Sequence, residues 1–242
     1  MKKPGIFITG TDTDVGKTVV AAGLALVLRS RGIRVGVMKP ITTGCLNYGK
    51  RLVSADAAFL MEAAENEWTG FSSPARYKHP VAPNVAAELE KREVDLDQIR
   101  KAYAELEKHY DFIIVEGIGG LMVPIHPKYY VTDLIREFKL PIVVVSKPGL
   151  GTINHTLLTI DAARIRGLEI KGIIFNRVPR ANLSISEMSN PKVISELSHL
   201  PILGSLPDIE DMDVERGKFG SLREMFQERI RIDSLIQDLQ PR

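Results

Sequence analysis

The run Gly10-Thr-Asp-Thr-Asp-Val-Gly-Lys-Thr18 stands between a short apolar stretch and a segment of strong helix formers. A loop of this composition, opening into a helix, turns successive backbone N–H groups and a helix N-terminus toward one point, and that point suits phosphate. In such a loop Lys17 would bridge the β- and γ-phosphates of a nucleotide, and the Thr18 hydroxyl would bind Mg²⁺. Five residues separate Gly10 from Gly16, where the common phosphate-loop pattern has four. A plain strand-turn-helix would explain one glycine at a tight turn, but not Gly, Lys and Thr in succession.

Phosphoryl chemistry of this kind needs a second acidic group for the metal, usually from the end of a neighbouring buried strand. Glu116 fits: it closes the apolar run Phe112-Ile-Ile-Val115 and precedes Gly117-Ile-Gly-Gly120, a turn that lets backbone approach a ligand closely. The competing reading is a surface carboxylate beyond a strand. Lys39, followed by Pro40, ends another apolar run, at the edge where open α/β sheets bind ligands. On position alone a solvated lysine serves as well as a functional one. Asp56 is equally open, because an acid there also favours the start of its own helix.

These residues must be carried by a scaffold, and the sequence describes one. Apolar runs rich in β-branched residues at 6–9, 35–39, 112–116, 142–146, 170–176 and 202–206 read as buried strands. Between them, residues 17–30, 55–65, 96–109, 132–138 and 153–166 show helical periodicity, with Ser54 and Asp95 as expected N-caps. A Pro-rich stretch at 79–83 leads into another helical run within 77–92. Alternation of this kind predicts an α/β fold with a mostly parallel sheet flanked by helices on both faces, the phosphate-loop NTPase arrangement, in a single domain over residues 1–242. Residues 221–239 carry an approximate helical stripe; through Arg242 its four arginines are matched by four acids, which favours docking on protein over a membrane.

Composition narrows the function classes. With 32 Lys and Arg against 30 Asp and Glu the net charge is +2, too balanced to predict a nucleic-acid or membrane partner. Any anionic ligand must therefore be held locally. The single cysteine, Cys45, is expected to pack as a small hydrophobe in a reducing, cytoplasmic setting. Neither a signal peptide nor an apolar run of the ~18 or more residues that a span requires is apparent.

Taken together, the phosphate loop at 9–18, Lys39-Pro-Ile-Thr-Thr-Gly44, Asp56, Val115-Glu-Gly-Ile-Gly-Gly120, Gly149-Leu-Gly-Thr-Ile-Asn-His155 and Phe175-Asn-Arg-Val178 closely resemble the dethiobiotin synthetase family of the biotin pathway. The likeness runs from residue 5 to about residue 210. It implies a homodimeric enzyme that takes ATP, Mg²⁺, CO₂ or bicarbonate and 7,8-diaminononanoate and closes a cyclic urea. By this resemblance Lys39 and Lys17 are catalytic, and Thr18, Asp56 and Glu116 hold magnesium. The nucleotide would be held by Asp14, Val15, Gly16, Lys17 and Thr18, by Gly117, Ile118 and Gly119 after Glu116, and by Asn176 with Arg177. Pro207, Asp208 and Ile209 match a segment beside the base. Thr13, Thr43 and the loop residues Gly149, Leu150, Gly151, Thr152, Ile153 and Asn154 match substrate contacts, the loop receiving the substrate carboxylate across the subunit interface. His155 and the charged stretch 210–220 receive no role. Two rivals share the nucleotide fold. Partitioning and cell-division ATPases carry a lysine early in the loop, where this chain has Gly10, Thr11, Asp12, Thr13 and Asp14; corrin-ring amidating synthetases use a nucleophilic cysteine far downstream of where Cys45 lies.

Overall fold

The protein is described by a computed structural model covering residues 3–49, 51–66 and 70–237. Six strands form its central sheet: β1 (Gly5–Gly10), β2 (Val35–Met38), β3 (Phe112–Glu116), β4 (Ile142–Ser146), β5 (Ile170–Val178) and β6 (Ile202–Pro207). Every neighbouring pair is parallel, in the order β6-β5-β4-β1-β3-β2. The chain leaves β1 toward one edge, returns through β3, and then builds outward on the other side through β4. Strand order therefore reverses beside β1, and the crevice beyond its carboxyl end is where an open α/β sheet takes its ligand.

Successive residues of the central strands alternate between two cores, as the two-residue period of a strand requires. Ile6, Ile8, Ile114, Val143 and Val145 face helices α1 (Lys17–Ser30), α2 (Ala55–Ala64), α8 (Leu222–Arg229) and α9 (Ile232–Gln237). Phe7, Ile113, Val115, Ile142 and Val144 face the side of α3 (Pro83–Leu89), α4 (Leu96–His109), α5 (Val131–Phe138), α6 (Thr152–Ile165) and α7 (Ile185–Ser198). Helix α4 shows the logic: Ile99, Ala102, Tyr103 and Leu106 are buried at helical spacing while its outer face stays polar. Helix α1 is buried nearly all round, which fixes the residues at its N-terminus.

Ser54 and Asp95 cap α2 and α4 as predicted, accepting from the backbone N–H groups of Ala57 and Gln98. The C-terminal stripe does dock on the protein's own core, but as two helices: α8 ends at Arg229, and Ile230 bridges to Gly204 while the Arg231 N–H donates to the Leu203 carbonyl. Leu239, the last residue of the predicted stripe, lies outside the described residues. Helix α7 was not expected. Pro191 and its serines disguise a helix that starts from a Ser184–Glu187 capping box and packs Ile194 into the second core. Short two-stranded ribbons, Leu46–Tyr48 with Arg51–Val53 and Pro124–His126 with Tyr129–Tyr130, likewise carry no clear sequence signal. No helix among the described residues is long and apolar enough to cross a membrane.

Candidate active site

Strand β1 delivers the phosphate loop and α1 carries it away. Gly16 sits in the left-handed region at φ 93°, and a Cβ built there would lie 1.8 Å from the amide nitrogen of Asn176, so only glycine fits. Asp14 also takes a left-handed conformation, at φ 56°, which gives the loop its reversal. The ammonium of Lys17 folds back to donate to the Asp12 carbonyl at 2.7 Å. Asn176, at the end of β5 and buried, donates from Nδ2 to the carbonyl of Val15 at 3.0 Å. It thus pins the loop from beneath.

Two further strand ends and the start of a helix converge on this loop. Glu116 closes β3 with its side chain buried, and its Oε1 accepts from the Thr18 hydroxyl at 2.8 Å and from the Lys39 ammonium at 2.9 Å. Lys39 follows β2 and is also ion-paired with Asp56 in the first turn of α2. One ammonium is therefore shared by two carboxylates. Burial works against the charge of Lys39, but Glu116 and Asp56 outweigh it and hold its pKa above the ordinary lysine value. Burial raises the pKa of Glu116, against the pull of Lys39. Lys17 is shifted the other way, its pKa lowered by burial despite Glu116. Removing one partner from so buried a pair is typically worth about 3–5 kcal/mol, because it strands the other charge.

Oε2 of Glu116 is buried and has no hydrogen-bond partner among the described residues. That free acceptor, the Asp56 carboxylate and the Thr18 hydroxyl make a set of hard oxygen donors that could hold a small divalent cation alongside phosphate oxygens.

Around this cluster opens a cavity of about 540 Å³. Of the residues expected at the site, Thr13, Asp14, Gly16, Lys17, Thr18, Lys39, Thr43, Asp56, Glu116, Gly117, Ile118, Gly119 and Arg177 all line it. Arg177 follows Asn176 in a left-handed conformation, at φ 59°, and its exposed side chain faces this cavity and the hollow beyond the loop. Pro207 and Ile209 are buried and Asp208 is exposed, its carbonyl taken by Arg180; none of the three lines the cavity. Val214 and Glu215 do line it. They come from the charged stretch that gave no sequence signal, drawn in by the short bridge between Asp213 and Lys218. Pro80, from the Pro-rich stretch, also reaches the wall.

The predicted substrate loop is elsewhere. Gly149, Leu150 and Thr152 line a separate hollow of about 400 Å³ on the far side of the phosphate loop, together with Thr11, Asp12 and Val15. Ile153 and Asn154 follow in the first turn of α6, whose N–H groups have no partner within the helix. Beneath them, the Ser146 hydroxyl joins Thr152 at 2.7 Å and Thr156 at 2.9 Å, and touches Thr11 of the phosphate loop at 3.5 Å. Leu150 is 91% exposed at the tip, so this chain alone covers little of the loop.

Known proteins are similar to this chain. The protein described as ATP-dependent dethiobiotin synthetase BioD in Thermodesulfovibrio yellowstonii is 41% identical over 222 residues, covering 88% of this chain and 92% of that one. The chain belongs to the ATP-dependent dethiobiotin synthetase family. Members from Methanococcus vannielii and Bacillus subtilis are 37% and 36% identical, covering 88% and 87% of this chain and 98% and 90% of their own. A family model described as an AAA domain matches residues 4–216, which takes in every residue of the family site. Among solved structures, the MinC:MinD cell division protein complex of Aquifex aeolicus has a TM-score of 0.59 at 18% identity, over 99% of this chain and 98% of that one. MinD of Pyrococcus horikoshii, in complex with Mg-ADP, has a TM-score of 0.55 at 16% identity, each chain covered in full. At that identity the likeness shows the phosphate-loop NTPase fold alone.

Proposed function

We propose that this family member makes dethiobiotin from 7,8-diaminononanoate, CO₂ and ATP in the cytoplasm, releasing ADP and phosphate, as a homodimer of one-domain subunits. The observation that carries the reading is the convergence of Lys17, Thr18, Lys39, Asp56 and Glu116 on one cavity beside the phosphate loop.

The residues divide the work by chemistry. Loop N–H groups and Lys17 hold the triphosphate, and Thr18, Asp56 and Glu116 are placed to hold magnesium. Magnesium, when bound, neutralises phosphate charge as the phosphoryl group moves. An alkyl amine adds to CO₂ only as its free base, and a lone alkyl ammonium is nearly fully protonated at neutral pH. Positive charge from Lys17 and Lys39 disfavours a third cation nearby and so lowers the pKa of the substrate amine. In the structure, however, the charge of Lys39 is matched by Asp56 and Glu116. For its ammonium to serve the reacting groups, at least one of those carboxylates must be engaged by another cation.

The carbamate formed by the first amine is an anion that both lysines attract. Its oxygen attacks the γ-phosphorus, ADP leaves, and a carbamic-phosphoric anhydride results; alignment and charge neutralisation are most of what the protein must provide. The second amine, on the adjacent carbon, attacks the activated carbonyl and expels phosphate. Ring closure is fast because the tether gives a large effective concentration. Thr13 and Thr43 offer hydroxyls on the same cavity wall for the substrate. The carboxylate end of the substrate is assigned to the first turn of α6 on a neighbouring subunit, where helix-end N–H groups favour an anion. The exposure of Leu150 supports that assignment, since a second copy would cover it.

The deciding experiment supplies the protein with MgATP, bicarbonate and 7,8-diaminononanoate and identifies products by mass. Dethiobiotin together with ADP and phosphate is expected. Folded protein that hydrolyses ATP without forming it would sink the proposal.

A further inference from the structure

The loop between β4 and α6 is held by few contacts. Gly149 and Gly151 have open space where a Cβ would stand, and Leu150 is exposed, so no packing fixes the tip. The carbonyls of Pro148 and Gly149 are instead gripped by one side chain, and that of Gly149 also accepts from the Thr152 N–H at 3.3 Å. Asn190, on α7 and 5% exposed, donates from Nδ2 to both, at 2.9 and 3.1 Å.

We infer that Asn190 is a positioning residue for the substrate carboxylate, holding the 148–149 backbone so that the first-turn N–H groups of α6 face their ligand. This rests on the reading above that the loop receives the carboxylate. An amide is well matched to this role, because its one nitrogen carries two N–H donors, enough for two consecutive carbonyls. It is also neutral, so it adds no charge that would compete with the helix end for the anion. An aspartate of the same shape would present only acceptors to those carbonyls, and burial would make the mismatch costly. The hydroxyls of Ser146, Thr152 and Thr156 fix the helix itself, and beside the Thr152 N–H bond to Gly149 it is the Asn190 side chain that holds the approach to it.

The test compares two substrates in full-length wild type and Asn190→Asp: 7,8-diaminononanoate, and the same diamine bearing a methyl group in place of the carboxylate. Asn190→Asp should lower kcat/KM for diaminononanoate by about 10- to 100-fold, mainly through its KM, with the KM for ATP unchanged. With the methyl analogue, variant and wild type should agree within about twofold, because the group that Asn190 serves is gone. An equal penalty with both diamines, or a loss carried by the KM for ATP, would overturn the inference and leave Asn190 a structural residue. Should wild type turn over both diamines equally well, the carboxylate reading of the loop fails first and the role of Asn190 with it. If Asn190→Asp does not fold, Asn190→Ala, which removes the donors without adding acceptors, reads the same comparison.

Discussion

The two sides of the phosphate loop are held by different kinds of force. On the inner side, a buried ammonium, two carboxylates and a hydroxyl restrain one another through Lys39, Asp56, Glu116 and Thr18. On the outer side, the 148–154 loop is held by neutral groups, the Asn190 amide and the hydroxyls around Ser146, and its tip is bare. Charge in a low-dielectric site is strong and unforgiving, which suits the handling of phosphoryl groups. Neutral hydrogen bonds contribute less each, but they hold a backbone in place without attracting stray ions. The contrast teaches that the inner side concentrates charge, which the proposed phosphoryl transfer needs, while the outer side holds backbone in place with neutral groups, which the proposed carboxylate site needs.

The largest effects should come from the inner lysines. Lys39→Ala is expected to lower kcat by about 10²- to 10³-fold while nucleotide affinity changes only a few-fold, because its charge is needed where phosphoryl charge develops. Near wild-type kcat in steady-state kinetics would remove Lys39 from the reaction. Lys17→Ala should damage both turnover and nucleotide affinity; an unchanged calorimetric titration with ATP would contradict its place in the loop.

An intermediate effect is expected at Asn176, and it sharpens what that side chain does. If its bond to the Val15 carbonyl is its main contribution, Asn176→Ala should weaken ATP and GTP alike, by about tenfold, the effect of losing one buried hydrogen bond. If it reads adenine, ATP alone should suffer. Competition binding with the two nucleotides separates these outcomes.

The smallest effect belongs to the outer side. Ser146→Ala leaves Thr152 and Thr156 with fewer partners and should cost about 1 kcal/mol of stability, read by urea denaturation, with ATP affinity intact. A large loss of ATP affinity would show that the contact of Ser146 with Thr11 couples the two sides, and that the contrast between them is too sharply drawn.

Much of the inner side was legible in the sequence because its chemistry is written in contiguous residues at strand ends. Gly16-Lys-Thr18 and Glu116 after an apolar run announce themselves, Lys39 takes its role only from the family resemblance, and parallel strands gather their carboxyl ends on one edge. What remained hidden depends on contacts distant along the chain. Asn190 lies in a helix that Pro191 conceals, and its partners are 41 and 42 residues away. Val214 and Glu215 reach the cavity through loop geometry that follows no periodic pattern. The C-terminal stripe was correctly docked on protein but read as continuous, because nothing in its spacing reveals that the backbone at 230–231 is taken by β6.

The phosphate loop has chambers on both faces: Thr13, Asp14 and Gly16 look into one, Thr11, Asp12 and Val15 into the other. It is a party wall between two rooms, and it carries one residue beyond the usual spacing. No alteration between residues 11 and 16 is private to its own side, so an enzymologist who changes one chamber there must measure both.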